Sequence, residues 1–197
     1  ATPPYRADHV GSLLRPSSLL AARAACQQGR LSAAELRAAE DDAIREVVRM
    51  QQDIGLQAVT DGEFRRGSWH MDFLYQVGGV AKVQDTLTVQ FRNEKGVIEF
   101  TPAALRVEDK LRFERCIFGE DFAFLRSVAT ATPKLTIPSP SMMHYRGGRA
   151  AIDTGVYPTL DEFWHDLAAV YAEEIAALGG LGCRDLQLDD TSLAYLT

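Results

Sequence analysis

The chain has 197 residues, is 46% hydrophobic and 24% charged, and carries a formal net charge of -6. These values fit a soluble globular domain or a segment of a larger one, and the acidic balance argues against a surface for nucleic acid or other polyanions. No run of about 18 apolar residues is present to span a membrane, and Ala1-Thr2-Pro3-Pro4 shows no basic stretch leading into an apolar one. Cys26, Cys116 and Cys183 are scattered and odd in number. That excludes a disulfide framework and favours a reducing cytoplasm. None belongs to a C-x-x-C or H-x-C pair, so all three read as buried bystanders.

In chain order, a short strand is expected to run into the polar cluster His9-Val10-Gly11-Ser12. Ser17 or Ser18 caps a first helix over 20–27, with Gly29 as its stop. Ser32 and Glu35 form a capping box, each satisfying the other's free backbone N–H. The helix after it carries Leu36, Ala39, Ala43, Ile44, Val47, Val48 and Ile54 on one stripe. Gly55 ends it in the left-handed region, and a strand over 56–60 follows at once.

The stretch 77–117 departs from this βα alternation. Leu87, Val89 and Phe91 alternate with Thr86, Thr88 and Gln90, the segment 93–96 turns, and 97–100 returns as a hairpin. A weak strand is expected near 105–113 and a helix near 121–130. The strand over 134–137 then ends at Pro138-Ser139-Pro140-Ser141. Thr159 and Glu162 form a second capping box, and the stripe from Leu160 through Phe163, Leu167, Val170, Tyr171 and Ile175 to Leu178 stops at Gly179-Gly180. A strand over 186–188 reaches Asp189-Asp190.

Polar clusters at successive strand ends are the pattern of parallel α/β architectures, whose carboxyl-end rims bind ligands. The pieces give about five parallel strands, whereas a closed eightfold barrel takes about 250 residues. The expected fold is therefore α/β, the N-terminal part of a (β/α)8 TIM barrel, in one unit over 1–197 with a β-hairpin insertion over about 77–117. A complete five-stranded doubly wound sheet is the alternative.

Several residues could carry chemistry. Glu63 stands before Arg65-Arg66, and a carboxylate beside guanidiniums can bind a zwitterion; a charge cluster at a helix start is the competing reading. Gly11-Ser12 lets the backbone approach a ligand and offers N–H and hydroxyl donors, or is only a tight turn. His9 is either a general base or a structural histidine. Of Asp189 and Asp190, adjacent on a strand, at most one faces the rim. Asp189 suits an ammonium group and Asp190 a turn cap. Tyr145, in the Gly-rich stretch after the 134–137 strand, could stack on a flat ring or cover the core.

Taken in order, His9-Val10-Gly11-Ser12 with Arg15-Pro16, Thr60-Asp61-Gly62-Glu63 with Arg66, and Leu186-Gln187-Leu188-Asp189 resemble the cobalamin-independent methionine synthase family. The likeness is to its short, single-barrel members. The resemblance implies a TIM barrel that moves a methyl group from a methylated folate to the thiol of homocysteine, giving methionine. It also implies a zinc ion that lowers the thiol's pKa. Val10, Gly11 and Ser12 would hold the amino-acid carboxylate, and Glu63 and Asp189 the amino group. The zinc ligands of the family, a His-x-Cys pair followed by a Glu and a second Cys, have no counterpart in the 197 residues and are expected beyond them, as is the catalytic His. The segment alone is therefore expected to be inactive. Its expected partners are an amino-acid thiol, the C-terminal half of the barrel and, through an open sheet edge, a second copy, with no membrane. Three rival readings remain: a related zinc barrel alkylating another thiol such as coenzyme M, a barrel enzyme holding a cyclic acid directly on Arg65-Arg66, and a non-catalytic small-molecule binding module.

Overall fold

The computed structural model describes residues 8–83, 89–93, 96–100, 104–145 and 147–191, with the backbone alone within 89–100. The elements run α1 (Ser17–Gln27), α2 (Ala33–Asp53), β1 (Ala58–Val59), α3 (Met71–Leu74), β2 (Gly78–Val83), β3 (Val89–Asn93) and β4 (Gly96–Phe100). They continue with β5 (Ala104–Arg112), α4 (Gly119–Val128), β6 (Thr132–Pro138), α5 (Ser141–Tyr145), a 3-10 turn (Gly148–Ala151), α6 (Leu160–Gly180) and β7 (Asp185–Asp189). The described residues gather in two compact units. One comprises those of Ala1–Trp69, Phe118–Ile137 and Ala176–Asp189; the other comprises those of His70–Ile117, Pro138–Ile175 and Asp190–Thr197.

The first unit is α/β. Its sheet has the order β1-β6-β7, and β1 pairs with β6 in parallel, Ala58 opposite Thr132. The last five residues of β6 are all buried, as expected of a strand covered on both faces. The stripe foreseen on α2 packs here: Ala43, Ile44, Val47 and Val48 meet Leu19, Val59, Phe64 and Leu125 in one apolar cluster. Ser32 and Glu35 form the reciprocal capping box as read, and Gly55 takes a φ of +89° after the helix. Gln51, 1% exposed on α2, exchanges hydrogen bonds with the Thr60 backbone at 3.0 and 2.8 Å. Because helix and strand end are joined by this amide, the segment that follows β1 is fixed in place.

The second unit is largely antiparallel. β2 pairs with β5, with a register shift at Gly78/Val80, and β3 pairs with β4, Asn93 opposite Gly96. Tyr157, fully buried, accepts from the Leu111 N–H at 2.6 Å and donates to Asp166 at 2.8 Å. Glu174 on α6 accepts from the Ile117 N–H through both oxygens.

Among the described residues the sheet holding β1 has three strands. Four local expectations are corrected. The strand near 105–113 exists as β5, but it runs antiparallel to β2 instead of joining the parallel set. Ser17 and Ser18 lie inside α1, whose N-cap is Pro16 without a side-chain cap. Ile54 is the C-cap residue of α2 and is 67% exposed, outside the buried stripe. Helix α6 continues through Gly179 and Gly180, and the positive φ falls at Gly182. The strand proposed before His9, the hairpin residues 86–88 and its turn residues 94–95 lie outside the described residues. No described helix is long and apolar enough to cross a membrane.

Candidate functional site

Within the first unit the loop after β1 and the segment before α1 are bound together. Thr60 Oγ1 donates to the Gly11 carbonyl at 2.6 Å, and the Leu13 N–H donates to the Gly62 carbonyl at 3.1 Å. Gly11 has a φ of +112°, and a Cβ there would stand 2.6 Å from Thr136 Cγ2. Both the backbone angle and the close approach therefore demand glycine. Ser12 beside it is exposed, and Val10 is 67% exposed.

Glu63 is the residue on which the loop converges. Among the described residues it is the non-glycine residue with a positive φ, +58°. Such a conformation costs roughly 1–2 kcal/mol and persists only where the surroundings enforce it. They do so with three donors. The Glu63 N–H donates to Asp61 Oδ1 at 2.9 Å. Arg15 donates to the carbonyls of Glu63 and Arg66 at 2.7 and 2.9 Å. Arg23 donates to the carbonyls of Phe64 and Arg66. Two guanidiniums thus satisfy the carbonyls of a turn that no regular ladder serves.

The Glu63 side chain is buried. Thr136 Oγ1 donates to its Oε1 at 2.9 Å, and Arg66 Nη1 lies 3.3 Å from the same oxygen. Arg66, buried itself, donates to the Thr136 carbonyl at 2.7 Å and stacks over the Phe118 ring at 4.3 Å. Burial pushes the Glu63 carboxyl above its ordinary value; Arg66 and Thr136 pull it back, and the charges of Asp61 and Asp189 push it up again. Burial raises Asp189 as well, opposed by Gln187, Arg66 and Lys134. Asp61 is likewise raised by burial, against Arg66. Gln187 donates to Asp189 Oδ1 and, at 3.2 Å, to the Val10 carbonyl.

Of the five residues singled out in the sequence, the structure thus joins Gly11 and Glu63 through Thr136, and Val10 and Asp189 through Gln187. Ser12 sits next to Gly11 at the surface. Chemically, this is a set of carboxylates with raised proton affinity beside a glycine turn. Such a set can receive a cation, and Arg66 balances the Glu63 charge while no cation is there.

Other candidates resolve differently. His9 Nδ1 accepts from the Gly11 N–H at 3.1 Å, which shapes the turn. Lys134, 2% exposed, binds Asp8 at 2.8 Å and the His9 carbonyl at 2.8 Å. Arg65 and Arg66 are not free to clasp an outside acid. Arg65 is committed to Asp41 at 2.7 Å and Asp121 at 3.0 Å and lies over Phe124. In the second unit Ser141 donates to Asp190 at 3.0 Å; the turn that this carboxylate was expected to cap runs into residues outside those described. Cys26, Cys116 and Cys183 are unbridged; Cys183 is buried as expected, whereas Cys26 and Cys116 are only half-buried. Thr136 and Arg23 were not singled out by pattern, and Gln187 was visible only as part of the motif ending at Asp189. Arg15 was visible only as part of the motif with Gly11-Ser12.

A sheet with a parallel pair, carrying helices and closed by this loop cluster, defines an α/β protein. Residues 7–196 match the family described as the catalytic domain of cobalamin-independent synthase, and the chain belongs to that family. It is 44% identical over 190 residues to the uncharacterized protein YxjH of Bacillus subtilis (strain 168), covering 96% of this chain and 48% of the relative. It is 26% identical over 189 residues to the methionine synthase of Sulfolobus acidocaldarius, covering 93% of this chain and 51% of that protein. A crystal structure of a putative vitamin-B12 independent methionine synthase from Listeria monocytogenes superposes with a TM-score of 0.81 at 39% identity, covering 98% of this chain and 54% of that one. The chain spans about half the length of the curated relatives it matches.

Proposed function

We propose that this chain supplies the amino-acid-binding part of a methyltransferase that moves a methyl group from a methylated folate to the thiol of homocysteine, giving methionine. Glu63 and Asp189 would take the α-ammonium group, and the turn at Val10, Gly11 and Ser12 the α-carboxylate. The observation that carries the reading is the assembly of Gly11, Glu63 and Arg66 on one residue, Thr136, the first two on its side chain and Arg66 on both its hydroxyl and its carbonyl. Membership of the family supports it, as does the methionine synthase among the relatives.

Each role follows from local chemistry. An ionised carboxylate buried beside a fixed guanidinium offers oxygen acceptors to an ammonium at little cost in water-exposed charge. The strained turn keeps that carboxylate aimed before the ligand arrives, so less ordering remains to be done on binding. The thiol is then presented at a set distance from two anchored groups.

The fold proposal goes with it. Residues 1–197 would be the N-terminal part of a (β/α)8 barrel, with 77–117 as an insertion and the remaining strands contributed by the rest of the full-length protein. The length of the relatives supports this. The zinc implied by the family does not fit the residues present. Among the described residues no group of three or more His, Cys, Asp or Glu side chains could hold a metal ion. Its ligands are assigned to the rest of the protein.

The direct test is turnover by the full-length protein. Methionine should form from homocysteine and methylated folate, and formation should stop when zinc is chelated. Turnover of coenzyme M with homocysteine inert would replace the acceptor, and turnover indifferent to chelation would remove zinc.

A further inference from the structure

We propose that Thr136 is a positioning residue that sets the two anchoring ends of the amino-acid site against each other, its methyl seating the Gly11 turn and its hydroxyl aiming Glu63. The inference rests on the amino-acid reading of this site. Thr136 lies in β6 and is 2% exposed. Its Cγ2 occupies the space a Cβ at position 11 would need, 2.6 Å away. Its hydroxyl donates to Glu63 Oε1 at 2.9 Å and accepts from Arg66 Nη1 at 3.4 Å, and its carbonyl accepts from Arg66 Nη2 at 2.7 Å.

A β-branched side chain on a strand has few χ1 options. With the methyl lodged against Gly11, the hydroxyl is committed to Glu63, so neither anchor shifts without the other. Thr136 and Arg66 both address Oε1. An ionised carboxylate has about four lone-pair sites, and Oε2 carries none of the contacts found among the described residues. That oxygen is the one assigned to the ligand's ammonium. No single neighbour of Thr136 in sequence reveals this, because the three partners come from two distant segments, Gly11 from one and Glu63 with Arg66 from the other.

The test compares two substitutions in the full-length protein by calorimetry, with methionine and with its desamino analogue as probes. Thr136→Val keeps the shape and deletes the hydroxyl. Its affinity for methionine should fall about tenfold, as for a lost hydrogen bond to a charged group, while the analogue's affinity changes by less than about twofold. Thr136→Ser restores the hydroxyl and should recover most of the methionine affinity. Glu63→Gln, measured alongside, separates the two layers of the account. If Glu63→Gln loses methionine and Thr136→Val does not, the positioning role is overturned and the site reading stands. If the Ser variant behaves like the Val variant, or both probes weaken equally, the hydroxyl is not what aims Glu63 and the inference fails. If Glu63→Gln leaves methionine binding intact, the site reading falls and takes this inference with it.

Discussion

Glu63→Gln in the full-length protein should lower affinity for methionine by about a hundredfold, the usual consequence of truncating one partner of a buried charge pair. The amide keeps the size of the side chain and can still accept from Thr136, so the turn at 61–66 has no reason to rearrange. What disappears is the negative charge that an ammonium would meet. Asp189→Asn should act in the same direction with a smaller effect, because Asp189 is only half buried and more open to water. The desamino analogue, a carboxylate without the ammonium group, should be bound no worse by either variant. Isothermal calorimetry with methionine and its desamino analogue reads all four combinations. Equal affinity of wild type and Glu63→Gln for methionine would remove Glu63 from the site.

Arg66→Met should destabilise the protein by about 3–5 kcal/mol, the range for breaking a buried ion pair from one side. Glu63 would be left without its cation, and the Thr136 carbonyl without its donor. The Phe118 stacking would go as well. Chemical denaturation of the full-length protein measures the loss. The same substitution carries a pH signature. Glu63 faces Arg66, Asp61 and Asp189, and its charge also reaches Arg15. Burial already lifts its carboxyl above the ordinary 4.5. The folded protein therefore holds this proton more tightly than the unfolded chain does. Its contribution to stability is favourable at acid pH and is lost as pH rises from 4.5 through the folded value. Ammonium binding has the opposite slope, because it needs the ionised form: affinity rises with pH through that folded value. Removing Arg66 takes away the main opposing influence and moves the rise to higher pH. Binding titrations carried upward from pH 4.5 should show the displaced limb in Arg66→Met. A limb that stays where it is in wild type would mean Arg66 does not control Glu63.

Much of the local structure was legible because it is local. Ser32 and Glu35 sit three residues apart, and their capping box needs nothing beyond that spacing. The α2 stripe was legible for the same reason, up to Ile54, where periodicity continues past the point at which the chain leaves the helix. Strand direction is different. β5 has the apolar and β-branched residues of a strand, but its antiparallel pairing with β2 is decided by a partner more than twenty residues upstream. Gly179 and Gly180 look like a stop, yet their helical φ values are open to any residue, and the turn falls at Gly182.

The site divides the same way. Glu63 and Gly11 stood out because each sits in a polar cluster expected to follow a strand. Thr136 did not, since a threonine inside Lys134-Leu135-Thr136-Ile137 reads as an ordinary β-branched strand residue. Its part in the site comes from the position of β6 in the sheet, with Gly11 and Glu63 delivered to it by other segments. Arg15 and Arg23 were hidden for a related reason. They serve the carbonyls of the turn at 63–66, and a carbonyl has no letter in the sequence.

One measurement bears on the whole account: a crystal structure of the full-length protein with methionine bound. The ligand's ammonium nitrogen should lie within hydrogen-bonding reach of Glu63 Oε2 and the Asp189 carboxylate, and its carboxylate at the Gly11-Ser12 turn. Methionine held by other residues, with Glu63 still closed on Arg66 and Thr136 alone, would contradict it.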